Sequence, residues 1–387
     1  MTTQNYDVVI VGAGIVGAAF AAALRDSGLN LALVEQHPPE PPTDDWDTRI
    51  YAISPGSAAL LENLGVWQTL DQSRNGPVYG MSIRGDSGAE LEFDAYRAGV
   101  PQLAWIMESG RIQHGLWAAL QNQDNLTLYA GASCSELAWS AFGARLALGD
   151  GTVLHSKLVV AADGRQSWVR AQAGIASRRE DYLQSGVVAN FVTEQAHRGI
   201  ARQWFREDGV LAWLPLPDNH ISMVWSTDAE HTKALMAASP EQLAEEVGRA
   251  GGYALGKLCQ LGTTAAFPLS INRVSTLVKP GLALIGDAAH GVHPLAGQGV
   301  NLGLRDAREL ANVLLQRGAA GCGELALLRR YERARLADIA AMQTVTDSLH
   351  HLFRSRNPML AKLRNIGMDF TNQLTPVKTW LMRQALG

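Results

Sequence analysis

Three glycines near the amino terminus have the spacing of a phosphate-binding turn. Gly12, Gly14 and Gly17 form a Gly-x-Gly-x-x-Gly pattern. In such a turn the first glycine permits a tight bend, the second lets a phosphate reach the backbone, and the third allows close helix packing. Glu35 follows at the interval where an acid accepts hydrogen bonds from an adenosine ribose. Because an acid there repels a 2′-phosphate, the pattern predicts FAD or NAD rather than NADP as the tightly held nucleotide.

A second glycine-rich segment begins at Gly286 and Asp287 and continues to Gly299, Val300 and Asn301. An Asp at a strand end can accept hydrogen bonds from sugar-like hydroxyls, and a turn that opens a helix presents N–H groups to a developing anion. A reduced isoalloxazine ring carries such an anion. The segment therefore indicates a second cofactor-binding turn, although a simple connection from strand to helix would have the same local pattern.

Both turns need a strand before them and a helix after them. Residues 7–11 form a short β-branched run, and a small-residue helical stretch is predicted to continue to Ser27, with Gly28 as the residue that ends it. Residues 31–34 and 282–285 are predicted as further buried strands. These elements would place both glycine turns at the same edge of one sheet.

Other parts of the chain have the patterns of strands and helices that separate these elements. Alternating apolar residues at 78–93 and 186–227 predict antiparallel strands of one sheet. Residues 110–121 have a helical pattern, and residues 153–162 are predicted as a strand that ends at Asp163. The nucleotide-binding unit is therefore expected to be discontinuous in sequence.

The 387-residue chain has the composition of a globular protein with more than one structural unit. Hydrophobic residues make up 47% and charged residues 18%, which argues against disorder. The net charge of -4 gives no reason to bind nucleic acid. The three cysteines lie far apart without a Cys-x-x-Cys pair, so neither a disulfide framework nor a metal site is predicted. We expect a reducing, cytoplasmic setting and no membrane-spanning helix.

The carboxyl-terminal part, residues 325–387, is predicted to form amphipathic helices divided by Pro358 and Pro376. Residues 329–387 contain ten Lys or Arg and four Asp or Glu. This basic segment can be interpreted as a docking element for a membrane surface or a partner protein. Ordinary helix packing with solvated basic faces is the alternative interpretation.

Residues 162–170, Ala-Asp-Gly-Arg-Gln-Ser-Trp-Val-Arg, lie between the two glycine motifs and resemble the DG motif of class A flavoprotein monooxygenases of the p-hydroxybenzoate hydroxylase type. The separation of the three motifs is also similar to that in these enzymes. Further segments resemble the substrate-domain sheet of the ubiquinone-biosynthesis hydroxylases, a subfamily that includes the 2-octaprenyl-6-methoxyphenol hydroxylases. These segments are residues 185–190, 197–205, 212–217 and 224–226. The resemblance extends from about residue 5 to the end.

The resemblance implies an α/β fold in which a Rossmann-like FAD-binding domain is interrupted by a mixed-sheet substrate domain and followed by C-terminal helices. The FAD-binding domain would comprise residues 1–75, 101–180 and 273–324. The substrate domain would comprise residues 76–100 and 181–272, and the C-terminal helices residues 325–387.

Several single residues acquire roles through the resemblance. In the family one arginine follows the second strand and another opens the next helix; Arg49 and Arg111 occupy these places and are expected to contact FAD, where a guanidinium pairs with pyrophosphate oxygens. Surface ion pairs would also explain them. Asp163 of the DG motif is implied to bind cofactor, and Pro294 and Gln298 to border the flavin and the substrate ring.

Neither a catalytic acid nor a base is evident in the sequence. His290 could relay a proton, but beside two alanines before a helix it is interpreted as a structural hydrogen-bonding group. No second glycine fingerprint follows a strand, because the glycines at 318–323 follow a helix and are predicted to form a loop. NAD(P)H is therefore expected to bind transiently.

The resemblance implies an FAD-dependent hydroxylase of a polyprenylated phenol in ubiquinone synthesis, cytoplasmic and in peripheral contact with the inner membrane or a biosynthetic complex through its C-terminal helices. In the family NAD(P)H reduces the flavin, which then reacts with O₂, and an electron-rich ring is hydroxylated. The cofactor carries this chemistry, while the protein positions the reacting groups and excludes water from them. Two alternatives stay open: the same chemistry on a small soluble phenol or hydroxybenzoate, and a flavin-binding scaffold without turnover.

Overall fold

The structure is a computed structural model that describes residues 3–85, 89–140, 143–291 and 298–354. The strands are β1 (Thr3–Val11), β2 (Leu31–Glu35), β3 (Ile50–Ile53), β4 (Gly76–Val78), β5 (Gly80–Arg84), β6 (Glu90–Asp94), β7 (Ala104–Glu108), β8 (Leu126–Ala130), β9 (Cys134–Ser140), β10 (Gly143–Leu148), β11 (Val153–Ala161), β12 (Ser177–Thr193), β13 (Ile200–Arg206), β14 (Gly209–Leu216), β15 (His220–Asp228), β16 (Leu258–Val274), β17 (Val278–Lys279), β18 (Leu282–Leu284) and β19 (His290–Gly291). The α-helices are α1 (Ile15–Ala23), α2 (Pro55–Asn63), α3 (Ala95–Ala98), α4 (Ser109–Gln121), α5 (Trp168–Gln172), α6 (Ala229–Ala237), α7 (Pro240–Ala250), α8 (Gly299–Leu315) and α9 (Leu325–Arg354).

A largely parallel sheet contains the strands that precede both glycine turns. Its order is β17-β18-β11-β1-β2-β8, and β10 and β9 extend it through antiparallel pairing with β11. The central strand β1 pairs in parallel with β11 and with β2. Residues 8–10 on β1 are fully buried, as expected for a strand covered on both faces. The predicted strands at 31–34, 153–162 and 282–285 are confirmed as members of this sheet.

Helix α1 packs closely on this sheet but is shorter than predicted. It ends at Ala23 and not at Ser27, so Gly28 is not the residue that terminates it. The amide groups of Leu24 and Arg25 bond to carbonyls three residues earlier, which tightens the last turn, and the Ser27 hydroxyl donates to the Leu24 carbonyl at 2.6 Å. Gly28 instead has a φ of +68° in the turn that leads into β2.

A second sheet has the order β19-β16-β12-β15-β14-β13-β5-β6 and confirms the predicted single sheet for residues 78–93 and 186–227. Its pairs are antiparallel except for β13 with β5. Side chains alternate between its two faces. Val187, Met223 and Trp225 pack with the apolar residues of α6 and α7, whereas the neighbouring Val188 and Val224 face a cavity. Together the sheets confirm the predicted α/β fold.

A third, smaller sheet is antiparallel and contains the three strands β3, β7 and β4.

Helix α9 begins at Leu325, where amphipathic helices were predicted, and continues unbroken to Arg354. The Tyr331 hydroxyl donates to the carbonyl of Leu284 at 2.9 Å, which fixes α9 against β18. The predicted divisions at Pro358 and Pro376 lie outside the described residues.

Candidate active site

The main cavity has a volume of about 810 Å³ and lies between the two larger sheets and β3. This volume is in the range of roughly 300–1,000 Å³ that is typical of ligand pockets. On one side it is lined by the two glycine turns, including Gly14, Gly286 and Gly299. On the other side it is lined by the antiparallel sheet. The structure therefore brings together two motifs that lie far apart in sequence.

The fingerprint glycines have three different environments. At Gly12 the φ is +100°, and a Cβ would lie 2.4 Å from the carbonyl oxygen of Ala162. A Cβ on Gly17 would lie 2.0 Å from the carbonyl oxygen of Gly12. Nothing lies within 4 Å of a Cβ on Gly14, which lines the cavity. Gly12 and Gly17 are thus required by the fold of the turn, while Gly14 leaves its backbone open to a ligand.

Helices α1 and α8 begin at the cavity without a side-chain cap, as does α4, whose first two amides bond instead to the carbonyl of Arg49 and to Asp47. The residues before them, Gly14 for α1 and Gln298 for α8, make no capping bond, and neither first turn contains an acid. Helices α5, α6 and α7, in contrast, are capped by the side chains of Ser167, Asp228 and Ser239. The first N–H groups of α1 and α8 are therefore unsatisfied within their helices and favour an anionic ligand.

Glu35 lies at the end of β2 and holds the fingerprint turn. Its Oε2 accepts from the amide of Ala13 at 2.5 Å, and its Oε1 accepts from the amide of His37 at 2.9 Å. Burial, together with the charges of Asp163 and Glu35, raises the pKa of the Cys134 thiol to about 12. The three side chains thus lie near one another at the end of the parallel sheet.

Asp163 has one carboxylate oxygen in use and one without a partner. Oδ2 accepts from the amide of Val169 at 2.9 Å, whereas Oδ1 is buried without a hydrogen-bond partner. Burial raises the pKa of this carboxyl, opposed by hydrogen bonds that it accepts, such as that from the amide of Val169 to Oδ2. A buried polar atom without a partner is unfavourable and indicates a place where a ligand donor or water belongs.

Gly286 and Asp287 follow β18 at the opposite side of the cavity from the antiparallel sheet. Gly286 has a φ of +59°, and a Cβ there would contact Val16 of α1 at 3.2 Å. The side chain of Asp287 is 47% exposed and lies 3.9 Å from the guanidinium of Arg165. An acceptor in this position can reach a polyhydroxyl chain that runs through the cavity.

The two arginines implied by the resemblance differ in position. Arg49 lines the main cavity, with its guanidinium 5.6 Å from the centre of the Phe267 ring. Arg111 lines a smaller recess of about 340 Å³, where its Nε donates to Glu108 at 2.8 Å and Nη2 donates to the carbonyl of Thr43 at 2.7 Å. Arg111 is thus held in an ion pair, the alternative that the sequence left open, and its contact with FAD stays a prediction.

The start of α8 presents backbone rather than side chains to the cavity. Gln298, Gly299 and Val300 line it, whereas the Asn301 side chain is turned away. Asn301 is 1% exposed; its Nδ2 donates to the carbonyl of Ala52 at 2.8 Å, and its Oδ1 accepts from the amide of Ser54 at 3.0 Å. Any contact of Asn301 with a cofactor would therefore use its backbone. Pro294 lies outside the described residues.

A buried carboxylate that the sequence analysis missed supports the Gly286 turn. Asp306 on α8 is 0% exposed, and its Oδ2 accepts from the amide of Gly286 at 2.9 Å and pairs with His290 Nε2 at 2.5 Å. Arg335 on α9 donates to its Oδ1 at 2.7 Å. Burial raises the pKa of Asp306, but His290 and Arg335 outweigh this and lower it. In the sequence, an acidic residue among the apolar positions of α8 was the signal that could have indicated this buried carboxylate. His290 is thus part of an internal support.

The residues around the cavity fit FAD. Uncapped helix ends suit a pyrophosphate and a flavin anion, and Asp287, which lines the cavity, offers an acceptor for a ribityl hydroxyl. Glu35 and Asp163 lie beside the fingerprint turn, outside the cavity lining, and offer acceptors there. The orphaned Oδ1 of Asp163 is the observation that most directly calls for such a partner. The antiparallel sheet contributes a mainly apolar wall, which can exclude water from a ring held against it.

The chain is similar to known flavin enzymes over nearly its whole length. A family model described as an FAD binding domain matches residues 5–346. The 3-demethoxyubiquinol 3-hydroxylase of Escherichia coli strain K12 is 36% identical over 391 residues, covering 100% of both chains. The ubiquinone hydroxylase UbiL of Rhodospirillum rubrum is 34% identical over 386 residues, covering 98% of this chain and 89% of that protein. The solved structure of p-nitrophenol 4-monooxygenase PnpA from Pseudomonas putida DLL-E4 has a similar fold, with a TM-score of 0.82 at 18% identity, covering 100% and 99% of the two chains.

Proposed function

This chain belongs to the FAD-dependent hydroxylases of ubiquinone biosynthesis, and from that premise we propose that it hydroxylates the aromatic ring of a polyprenylated phenol with NAD(P)H and O₂. The observation that supports this substrate is the composition of the cavity. One wall carries the glycine turns and helix ends suited to a flavin, and the other carries the apolar side chains of the antiparallel sheet. A prenylated ring needs such an apolar wall more than a small carboxylated phenol does.

The bound FAD supplies electron transfer from NAD(P)H and the activation of O₂ for transfer of one oxygen atom to the ring. In our proposal the amides at the start of α1 would hold the pyrophosphate, and Glu35 would accept from the ribose. Asp287 would accept from the ribityl chain, and the amides of Gly299 and Val300 would stabilise negative charge on the flavin. Gln298 and the antiparallel sheet position the substrate ring and exclude water.

Contact with a membrane or a biosynthetic complex is a separate proposal. Among the residues that the structure describes, no helix has both the length and the apolarity to cross a bilayer. A polyprenyl substrate resides in a membrane, so we propose peripheral docking through the basic carboxyl-terminal segment. The six-segment division into FAD-binding, substrate and C-terminal parts also stays a prediction.

The proposed activity is tested with the purified, FAD-loaded protein. We expect NADH or NADPH to reduce the flavin in a stopped-flow experiment and a prenylated phenol to gain one oxygen atom, detected by mass spectrometry. Reduction followed by hydroxylation of 4-hydroxybenzoate alone would favour the small-phenol alternative. A flavin that neither nucleotide reduces would favour the scaffold alternative.

A cellular test identifies the substrate independently of purification. Deleting the gene should cause a prenylated precursor that lacks one ring hydroxyl to accumulate in lipid extracts. A quinone profile identical to that of the parent strain, with no accumulated precursor, would contradict the assignment.

A further inference from the structure

An unpaired hydroxyl lies in the wall that the antiparallel sheet contributes to the cavity. Ser222, on β15, lines the cavity, is 0% exposed, and its Oγ has no hydrogen-bond partner. Its cavity-facing neighbours on the sheet are apolar, with Leu214 beside it on β14 and Val224 two residues along β15. A hydroxyl buried without a partner is unfavourable in a folded protein and calls for a ligand or an ordered water.

A second unpaired polar atom lies directly opposite this hydroxyl. Asn190 on β12 pairs with Ser222 in the strand register and is 1% exposed. Its Nδ2 donates to the carbonyl of Asp47 at 3.1 Å, which fixes the amide orientation and leaves Oδ1 as a buried acceptor without a partner. Directly opposed residues have Cβ atoms about 4.5–5.5 Å apart and project from the same face of a sheet, so Asn190 lies directly beside Ser222, although only Ser222 lines the cavity.

The two orphaned atoms complement a single hydroxyl group. The Ser222 hydroxyl can donate, and the Asn190 carbonyl oxygen can only accept. A phenolic hydroxyl both accepts and donates, and the aromatic ring that carries it is compatible with the apolar surroundings. An alkyl group or a carboxylate at this place would leave at least one of the two protein atoms unpaired or repelled.

We propose that Ser222 and Asn190 together bind the phenolic hydroxyl of the substrate and so select and orient its ring. The Ser222 Oγ donates to the phenolic oxygen, and the phenolic O–H donates to Oδ1 of Asn190. This inference rests on the proposed function, because it concerns the substrate of the same site. Ser222 acts here as a specificity residue and takes no part in the flavin chemistry.

The test measures ligand binding to the FAD-loaded protein through the change in flavin absorbance, with a geranylated phenol and the matching geranylbenzene that lacks the hydroxyl. We expect Ser222→Ala to raise the Kd for the phenol about tenfold, the effect of a lost hydrogen bond, and to leave the Kd for geranylbenzene unchanged. Ser222→Cys keeps the size of the side chain and a weak donor, so its Kd for the phenol should lie between those of the wild type and Ser222→Ala.

Ser156 provides a matched control. It is 5% exposed, its Oγ also has no partner, and it lies on β11 between β1 and β10. Because each substitution removes an unpaired buried hydroxyl, Ser156→Ala and Ser222→Ala should both leave the Tm unchanged or raise it. Only Ser222→Ala should alter the Kd for the phenol, and neither should change the affinity for FAD.

The outcomes separate this inference from the proposed function. If the wild-type protein binds the phenol but Ser222→Ala binds it equally well, or weakens both ligands equally, the inference is wrong and the function stands. If the wild-type protein binds neither ligand, the proposed function fails and the inference fails with it. A crystal structure with a water between Ser222 and Asn190 and the phenol elsewhere would also overturn the inference.

Discussion

The two walls of the cavity are built by different means. We call the wall at the parallel sheet the backbone wall and the wall at the antiparallel sheet the side-chain wall. The wall at the parallel sheet presents glycines, uncapped helix ends and backbone amides, and its geometry depends on contacts such as that of Gly12 with Ala162. The wall at the antiparallel sheet presents side chains that alternate with those facing α6 and α7. Backbone groups can recognise only what every member of a cofactor class shares. Side chains can change from one substrate to another without altering the strands that carry them.

The largest expected effect concerns two glycines of the backbone wall. Gly12→Ala forces a φ of +100° on a residue with a Cβ that would lie 2.4 Å from a carbonyl oxygen, so we expect a loss of about 4 kcal/mol in the free energy of unfolding. Gly14→Ala has open space and should cost less than about 1 kcal/mol. Urea unfolding of the FAD-free proteins measures both.

In these two variants the loss of FAD affinity should not be proportional to the loss of stability. Gly14→Ala places a methyl group where the phosphate approaches, so we expect weaker FAD binding from a protein of nearly normal stability. The affinity is measured by quenching of flavin fluorescence. Equal stability losses for the two variants, or normal FAD affinity in Gly14→Ala, would contradict the distinct roles of the two glycines.

The next effect concerns the support beneath the backbone wall. Asp306→Asn removes a buried charge and leaves Arg335 with only one of its two carboxylate partners, Asp338, so we expect a loss of about 3 kcal/mol in the free energy of unfolding at neutral pH. Because the folded-state pKa of Asp306 is lowered, the contribution is present above the unfolded-state pKa and is lost as pH falls toward the folded-state value. The difference from wild type should therefore shrink below about pH 4. A difference constant from pH 7 to pH 3 would argue against this origin.

Two neighbouring residues of β15 test the two faces of the side-chain wall. Met223 is 0% exposed and packs toward the helices, so Met223→Ala should cost about 2–3 kcal/mol of stability. Val224 faces the cavity, and Val224→Ala should cost about 1 kcal/mol while altering the Kd for the substrate. Thermal unfolding and substrate titration separate the faces, and a larger stability loss at Val224 would reverse the assignment.

The smallest effect is expected at Asp287, because its exposed carboxylate would contact only one part of the cofactor. Asp287→Ala should raise the Kd for FAD about tenfold with little change in stability. Asp124→Ala, an exposed acid in the loop after α4, serves as the control and should retain wild-type affinity. Equal FAD occupancy in the two variants would remove the role assigned to Asp287.

The sequence predicted the backbone wall better than the side-chain wall. The glycine turns, β2 with Glu35 and the start of α8 follow from local spacing, and the sheets are confirmed. The Asp306 support and the position of the Asn301 side chain depend on partners far along the chain. No local periodicity encodes such pairings. The early end of α1 was missed because residues 24–27 continue the chain as hydrogen-bonded three-residue turns rather than as α-helix.

The order of strands in the parallel sheet has a consequence for how the enzyme matures. Strand β1 and the fingerprint turn are synthesised before β2, β11 and α8, although β1 lies between β2 and β11 and α8 begins only at Gly299. A nascent chain therefore carries its phosphate turn without the elements that complete it until α8 has been made. Flavin capture is expected to follow the synthesis of α8, so riboflavin-starved cells should accumulate a protease-sensitive protein.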